Sequence, residues 1–362
     1  MIKFRTISQL IKVSILPEIE KRIQEGTISA TDLPIELNQF RIIQRKLSDG
    51  NILPIIELNQ EVSVVAKVEF KRSVSPGKSL TLDDIYPEKS FIEPPIYNGE
   101  PAAYFLCKSL IFDYMLIFDC RPNLPGFLQE ELEKAKIRYP ILVFVNAKKY
   151  LDFVRPFEKL KNLSVSNWPP APGYYPQVLL QVHRNPTIVQ DEAFIEIVSD
   201  SYNRDYWNTR IDFWKETDFF PKRLHYIRRA LDAHFQQDYI CSIYVIVPQF
   251  EGIIKDYLTK CGITPPNGFV DCVKELKKLI LSRKVLLFPR EIFETIFEYL
   301  EAGSFWKNTR TISDPTAMVN RHGIVHGLFT GFECKEISLK YLILFDALSF
   351  VLLHDKILTH SL

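Results

Sequence analysis

The character of the apolar segments changes near residue 200, and this change limits the fold more than any other feature of the sequence. Before it, apolar runs are short, bounded by turn residues and interspersed with most of the 23 prolines, a texture typical of strands and loops. After it, apolar residues recur at the spacing of helix faces. The sequence therefore predicts an α+β protein, with a mixed α/β domain over residues 1–190 and an all-α bundle over 200–362.

The first domain contains three segments with the residue pattern of strands. They are residues 61–74, 139–145 and 177–183, which are rich in valine, isoleucine or leucine. A helix is expected over 148–161. The prolines within residues 168–172 exclude a helix interior or a central strand, so a loop is expected there.

The second domain reads as a series of helices with recognisable ends. Residues 222–236 carry apolar side chains along one helix face, and Asp238 suits the N-cap of a helix over 239–261 that ends at Gly262. Further helices are predicted over 268–284, over 289–302, from Asp314 through residue 326, and over 337–359. The last of these completes a bundle of five or six helices.

The overall charge is almost balanced, with 45 basic and 44 acidic residues and a net charge of +1. This balance argues against general coating of nucleic acid, so that any such contact requires a local patch. Basic residues cluster on the predicted helices, and a solvated helix surface is the favoured interpretation over RNA guidance. The clusters are Lys222-Arg223, Arg228-Arg229, Lys274, Lys277-Lys278, Arg283-Lys284 and Arg290.

The six cysteines include no C-x-x-C pair, which argues against a zinc ribbon or a thioredoxin-type site. Scattered buried thiols in a reducing cytosol are expected instead. The most apolar stretches, residues 239–254 and 341–353, are shorter than the roughly 20 residues of a membrane span, and each contains an acidic residue. No signal peptide is recognisable. A soluble, cytoplasmic protein without a membrane partner is therefore expected.

The group Arg321-His322-Gly323-Ile324-Val325-His326 carries the strongest indication of chemistry. On an ideal helix Arg321 and His326 lie about 140° apart, and His322 lies one turn before His326 on the same face. A guanidinium can bind a phosphate through its planar fork, and a histidine with a pKa near about 6.5 can move a proton at neutral pH. Together they suit cleavage of RNA, whose 2′-hydroxyl DNA lacks.

The sequence from Asn320 to Gly327 resembles the R-x4-6-H motif of the HEPN superfamily. His322 fits the polar residue that commonly follows the arginine in that family. The position also agrees, late in a helical domain and before a last long helix. The resemblance covers residues 200–362, and residues 1–190 resemble no family that we can name.

This resemblance implies a metal-independent endoribonuclease of a bacterial defence or toxin–antitoxin system, with no cofactor. Arg321 and His326 would be catalytic, with His322 and Asn320 orienting or stabilising, and Glu251 on an earlier helix would support the cleft. Family members usually form homodimers through the helical domain, and an antitoxin or trigger protein is a further expected partner. The alternative is a non-catalytic module of the same type that mediates dimerisation or partner binding.

Three other patterns offer weaker alternatives. His322 and His326 have the H-x3-H spacing of some zinc sites, but Gly323 replaces the glutamate of H-E-x-x-H and Arg321 would repel a cation. Glu69-Phe70-Lys71 matches half of a metal-dependent nuclease site, with Glu57, Asp83 or Asp84 as possible second acids. An aromatic cluster from Tyr202 to Phe220 could stack on bases, although packing within the protein is the favoured interpretation.

Overall fold

The structure is a computed structural model of the 362-residue chain. It describes residues 7–46, 52–73, 81–93, 96–97, 100–101, 103–109, 114–119, 139–140, 163–164, 167–174, 176–190, 192–302 and 331–359, together with residues 49, 75, 77, 161 and 324. The chain divides into two compact units, Met1–Arg155 with Ser361–Leu362 and Pro156–His360. Residues 156–190, grouped with the first domain by the sequence pattern, therefore belong to the second unit.

The first unit combines a helical segment with small antiparallel sheets. Helix α1 (Ile7–Leu10) continues through a π-helical turn (Ile11–Ile15) into α2 (Leu16–Gln24). The strands are β1 (Ile35–Glu36), β2 (Gln39–Lys46), β3 (Ile52–Leu58), β4 (Val65–Lys67), β5 (Phe91–Glu93), β6 (Ile96–Tyr97), β7 (Glu100–Pro101), β8 (Ala103–Ser109), β9 (Tyr114–Asp119) and β10 (Tyr139–Pro140).

The main sheet of this unit has the order β3-β2-β8-β9, and every neighbouring pair is antiparallel. Its central strand β2 is buried along most of its length, and Ile42 lies between Ile56 of β3 and Phe105 of β8. Arg41 is the charged exception, and its Nε donates to Glu57 at 2.8 Å on the neighbouring strand. A smaller sheet has the order β10-β5-β4, and β6 pairs with β7.

The predicted strands of the first half are partly wrong. Residues 177–183 form helix α3 (Pro176–Arg184), because the buried Val178, Leu179 and Val182 share a helix face. Of residues 61–73, which the structure describes, Val65–Lys67 form the short strand β4, and Phe70 forms an isolated bridge with Ile85. Of residues 139–145 only Tyr139–Pro140 are described, as strand β10, and most of 148–161 lies outside the described residues. The loop at 168–172 is confirmed.

The second unit is built from helices whose predicted positions are largely confirmed. After α3 come α4 (Glu192–Ser201), α5 (Arg204–Lys215), α6 (Leu224–Phe235), α7 (Tyr239–Lys260), α8 (Phe269–Leu281), a two-residue strand β11 (Val285–Leu286), α9 (Arg290–Ala302) and α10 (Lys335–Thr359). The protein is therefore a mixed α+β protein, as predicted. Helix α7 packs against α6, α8 and α10, and α5 packs against α6.

The ends of α7 show why the positions of these helices could be predicted from the sequence. The Asp238 side chain accepts a hydrogen bond from the backbone N–H of Cys241 at 3.1 Å, the N-cap contact that was expected. At the other end Gly262 adopts a φ of +76°, which glycine tolerates without strain. The helix contains Pro248, and its buried side chains include Phe250, Ile253 and Ile254.

Helix α10 confirms the helix predicted over 337–359 and begins two residues earlier. Residues 335–354 are long and apolar enough to cross a membrane by length and composition, which corrects the expectation that this stretch is too short. The window that passes this test is entirely buried inside the helical unit. A core helix of a soluble protein has the same properties.

The expectation of buried thiols holds only in part. Cys107 and Cys272 are buried, Cys241 and Cys261 are half-buried, and Cys334 is exposed. All five are free cysteines, and the sixth, Cys120, lies outside the described residues.

Candidate functional site

The six-residue group lies between the end of α9 and the start of α10. Asn320, Arg321, His322 and His326 lie outside the described residues, so their roles stay predictions. Ile324 is the one described member of the group; it is helical and 1% exposed. Farther along, Phe332 is buried with its ring centre 5.7 Å from that of Tyr244 on α7. Ile324 and Phe332 are therefore both buried within the helical unit.

Glu251, the predicted supporting acid, lies on α7. Its carboxylate forms an ion pair with Lys255 at 2.8 Å, one helical turn further on, and both side chains are partly exposed. The Lys255 ammonium also donates to the backbone oxygen of Asn267 at 3.3 Å. Because the motif side chains are not described, the predicted role of Glu251 beside them stays a prediction.

The second unit contains a buried charged centre that the sequence analysis missed. Asp346 of α10 is fully buried and accepts hydrogen bonds from Arg210 Nε at 2.7 Å and from the Tyr206 hydroxyl. Arg210 also donates to Ser349 Oγ at 3.0 Å. An aspartate inside a long apolar run was the available signal, since a buried carboxylate requires a partner.

The shifted pKa values of this centre indicate a structural contact and not a group that transfers protons. Burial raises the pKa of the Tyr206 phenol, and the neighbouring Asp346 carboxylate raises it further, so Tyr206 donates its proton in a hydrogen bond and does not act as a base. Burial disfavours the charged form of Arg210, but Asp346 outweighs this effect and the pKa of the guanidinium is raised. The centre therefore joins α5 to α10 as a charge-assisted contact.

Two buried histidines are unsuited to proton transfer at neutral pH. Burial lowers the pKa of His234 to about 4, and Lys335 adds to the effect. Its Nδ1 lies 2.8 Å from Ser338 Oγ. Burial likewise lowers the pKa of His354 to about 3, with Arg283 contributing. Among the histidine side chains that the structure describes, only His225 is exposed.

Most of the basic clusters are paired with acids on the helix surface, as favoured from the sequence. Lys222 and Arg223 both bind Asp256, at 2.8 and 2.6 Å. The other pairs are Lys274–Asp271, Lys277–Glu301, Lys278–Glu275 and Arg290–Glu294. Arg228 and Arg229 on α6 differ, because they are exposed and no ion pair joins them to another residue in the described part of the chain.

The aromatic cluster packs within the helical unit, which confirms the favoured interpretation. Trp214 is fully buried, stacks on Phe220 at 5.2 Å and meets the ring edge of Phe345 on α10 at 5.9 Å. Tyr202 and Trp207 are also buried, with ring centres 5.6 Å apart. Most of these rings are therefore inaccessible to a base; Phe213, 47% exposed, is the exception.

Three of the four acids of the alternative metal-dependent site are paired with cations. Glu69 binds Lys89 at 2.8 Å, and Glu57 binds Arg41. Hydrogen bonds from the Thr81 backbone and from Arg72 lower the pKa of Asp84 to about 2. Within the described ranges, no group of three or more histidine, cysteine, aspartate or glutamate side chains is arranged to hold a metal ion.

A groove of about 430 Å³ runs between α5 and α6. Its floor is apolar, and three cations and two carboxylates line it. On α5 the lining residues follow one helix face, and the α6 residues do the same: Arg204, Trp207, Asn208, Ile211, Asp212 and Lys215 face Arg228, Leu231, Asp232 and Phe235. In the sequence these lining residues recur at the i, i+3, i+4, i+7 spacing of a helix face. The groove itself could not be predicted, because it depends on how the two helices pack.

Comparison with known proteins adds no family or fold relative. No protein-family model matches the sequence, and no curated protein or solved structure is significantly similar to the chain.

Proposed function

We propose that this protein is a metal-independent endoribonuclease of the HEPN type, in which Arg321 binds the scissile phosphate and His326 transfers the proton. The observation that carries the proposal is the Arg321-x4-His326 motif, flanked by Asn320 and Gly327. Its setting supports it. The motif falls between two helices of 13 and 25 residues, and Ile324 inside it is helical and buried.

In the proposed reaction the ribose 2′-oxygen attacks the adjacent phosphorus and the bond to the 5′-oxygen of the next nucleotide breaks. Neutral His326 accepts the 2′-hydroxyl proton, and the leaving oxygen takes up a proton from the same site or from water. Arg321 binds the phosphate oxygens and stabilises the charge that develops on them. His322 and Asn320 orient these groups. The products are a 2′,3′-cyclic phosphate and a 5′-hydroxyl end.

Two buried histidines of the helical unit are unsuited to the role proposed for His326. A histidine that moves protons near neutral pH needs a pKa near its ordinary value and access to substrate. His234 and His354 are buried, with pKa values lowered to about 4 and about 3. Neither meets both requirements.

The test is cleavage of several single-stranded RNAs by the purified full-length chain in EDTA. We expect the wild type to cleave, and His326→Ala and Arg321→Ala to lose at least about 100-fold in rate, a typical effect of a general base or an oxyanion-stabilising group. His225→Ala and Arg184→Ala, at exposed helix positions, are matched controls and should keep wild-type activity.

The chemistry of the products gives a second criterion. A substrate with a 2′-deoxynucleotide at the cleaved position should resist, and the upstream product should carry a cyclic phosphate detectable by mass spectrometry. Cleavage that requires added magnesium, or that survives both motif substitutions, would remove the proposal. An inactive wild type on all RNAs would favour the non-catalytic module.

The proposal extends to partners and setting, all inferred from the resemblance. The chain would act in the cytoplasm as a homodimer through its helical unit, with two motifs forming one cleft, in a defence or toxin–antitoxin system. Sedimentation velocity tests the dimer. Induced expression tests the biology, since the wild type should arrest growth and the His326→Ala, Arg321→Ala double variant should not.

A further inference from the structure

We infer that the groove between α5 and α6 binds single-stranded RNA, with Arg228 and Lys215 contacting phosphate and the exposed face of Arg204 stacking on a base. The inference rests on the proposed RNA substrate, but it concerns a site remote in sequence from the motif and built from described residues. It thereby assigns the substrate a second binding surface outside the proposed catalytic group.

One end of the groove has an excess of positive charge. Asp212 forms an ion pair with Lys215, one turn away on the same helix. Arg228 approaches the same carboxylate from α6 closely enough to lower its pKa, although the main cause is the hydrogen bond from Lys215. Lys215 and Arg228 thus line this end of the groove with one carboxylate between them, and Arg228 forms no ion pair with any described residue. A phosphate would supply the missing partner.

The other end of the groove offers a flat surface. The guanidinium of Arg204 lies over the Phe235 ring, 4.4 Å from its centre, and pairs at the side with Asp232 at 3.8 Å. The Arg204 side chain is 57% exposed, so the guanidinium face opposite the ring is available to solvent. Proteins that bind single-stranded RNA stack bases on guanidinium planes of this kind.

The two ends lie at a separation that a flexible strand can bridge. Arg204 and Asp212 are eight residues apart on α5, about 12 Å along a helix at 1.5 Å per residue. Between them the floor is formed by Trp207, Ile211 and Leu231, which are almost fully buried. A single strand exposes the faces of its bases, so that one base can stack on Arg204 while a phosphate of the same strand contacts Arg228.

The contrast with the neighbouring clusters gives the inference its specificity. Lys222, Arg223, Lys274, Lys277 and Arg290 already bind acids on this unit. Arg229, adjacent to Arg228 and equally exposed, does not line the groove. Arg229 is therefore a matched control, because it has the same side chain as Arg228 but lies on a different face of α6.

The experiment measures binding of a fluorescein-labelled, single-stranded 2′-O-methyl RNA of mixed sequence to the full-length chain by fluorescence anisotropy. This probe has no free 2′-hydroxyl, so binding is separated from cleavage. We expect Arg228→Gln and Lys215→Gln each to raise the Kd about 5- to 10-fold. Arg229→Gln should change it less than 2-fold. Each effective substitution should also reduce the slope of log K against log salt by about 0.7, the value for one phosphate contact on a single strand.

Several results would overturn the inference. They are an unchanged Kd for Arg228→Gln, an equal effect of Arg229→Gln, or no binding of the probe by the wild type at 50 mM salt. Tighter binding of poly-glutamate through Arg228 would assign the groove to acidic proteins instead. Circular dichroism verifies that each variant is folded. A chain that binds the probe through Arg228 but cleaves no RNA would refute the proposed catalysis and leave this inference intact.

Discussion

Arg210 on α5 and Asp346 on α10 form the best-buried ion pair in the described part of the helical unit. The Nε–Oδ1 distance is 2.7 Å, the Asp346 side chain is fully buried and that of Arg210 is 18% exposed. The Tyr206 hydroxyl donates to the other carboxylate oxygen, and Ser349 Oγ donates to the Asp346 backbone oxygen at 2.8 Å. The guanidinium also lies 5.6 Å from the centre of the Trp214 ring. The pair therefore fixes the position of α5, which also forms one wall of the groove.

Arg210→Met is expected to destabilise the protein by about 3–5 kcal/mol, because it leaves the Asp346 carboxylate buried without its cation. The measurement is the free energy of unfolding in urea at pH 7. Lys274→Met is the matched control. Its ion pair with Asp271 is exposed on both sides, so the expected loss is at most about 1 kcal/mol. If both substitutions lowered the free energy of unfolding equally, Arg210 would not be compensating the burial of the Asp346 charge.

Gly252 on α7 leaves space for the Arg223 guanidinium. A Cβ at this position would overlap Arg223 Nη1, and that guanidinium is held by Asp256 at 2.6 Å and Gln249 at 3.0 Å. Gly252→Ala should gain about 1 kcal/mol in helix propensity but displace Arg223 from its partners, at a cost of about 2–3 kcal/mol. We expect a net loss of about 1–2 kcal/mol in the free energy of unfolding.

A double variant isolates the cause of this loss. In the Arg223→Ala background the clash is absent, so Gly252→Ala should stabilise the protein by about 1 kcal/mol. Urea unfolding of the four proteins gives the comparison. Destabilisation in both backgrounds would mean that something other than Arg223 requires the glycine.

The sequence correctly predicted those helices that are defined by apolar periodicity and by residues typical of helix ends. The helices of residues 222–302, with the Asp238 cap and the Gly262 stop, follow from apolar spacing and from residues that satisfy helix ends. The strand predicted at 177–183 was wrong because a short apolar segment fits either period, and only its packing selects the helix. Within the described residues 61–73, strand β4 covers only Val65–Lys67, far less than the valine content of this segment suggested.

The candidate sites likewise fall into two classes, those marked by a local sequence motif and those formed by contacts between distant residues. Arg321 and His326 were recognised because their spacing lies within one short segment of sequence. The Arg210–Asp346 pair joins positions 136 residues apart, and the groove requires two helices to face each other. Nothing in the sequence specifies which residues meet across such distances. The difference between the paired clusters and Arg228, which forms no ion pair with a described residue, is likewise visible only in three dimensions.

Thiol reactivity should follow exposure. Among the five described cysteines, iodoacetamide at pH 7.5 is expected to modify Cys334 first, because it is exposed. Cys272 should react only on unfolding, since its thiol donates to the Pro266 carbonyl oxygen at 3.2 Å and burial raises its pKa. Cys107, buried in β8, should be equally protected. Peptide mass spectrometry after timed labelling identifies each site, and early modification of Cys272 would show that the α8 region opens in the folded state.

The buried histidines predict a loss of stability in mild acid. His234 has a folded-state pKa of about 4 and an unfolded value near about 6.5, so the unfolded chain binds the proton first. The stability is complete above the unfolded pKa and falls as the pH drops from about 6.5 towards 4. Each pH unit in this range costs up to about 1.4 kcal/mol, and the loss between pH 7.5 and 5 is about 2 kcal/mol. His354, with a pKa of about 3, should add a similar loss.

Urea unfolding of His234→Gln at pH 7.5 and pH 5 tests this assignment. The variant should be less stable than the wild type at pH 7.5, because it loses the packed imidazole beside Ser338. Its further loss at pH 5 should be smaller than that of the wild type by about 2 kcal/mol, since the titrating group is gone. His225→Gln removes an exposed imidazole and should retain the full wild-type pH dependence. An identical pH dependence in His234→Gln and the wild type would place the acid sensitivity elsewhere, because only a group with different pKa values in the folded and unfolded chains can produce it.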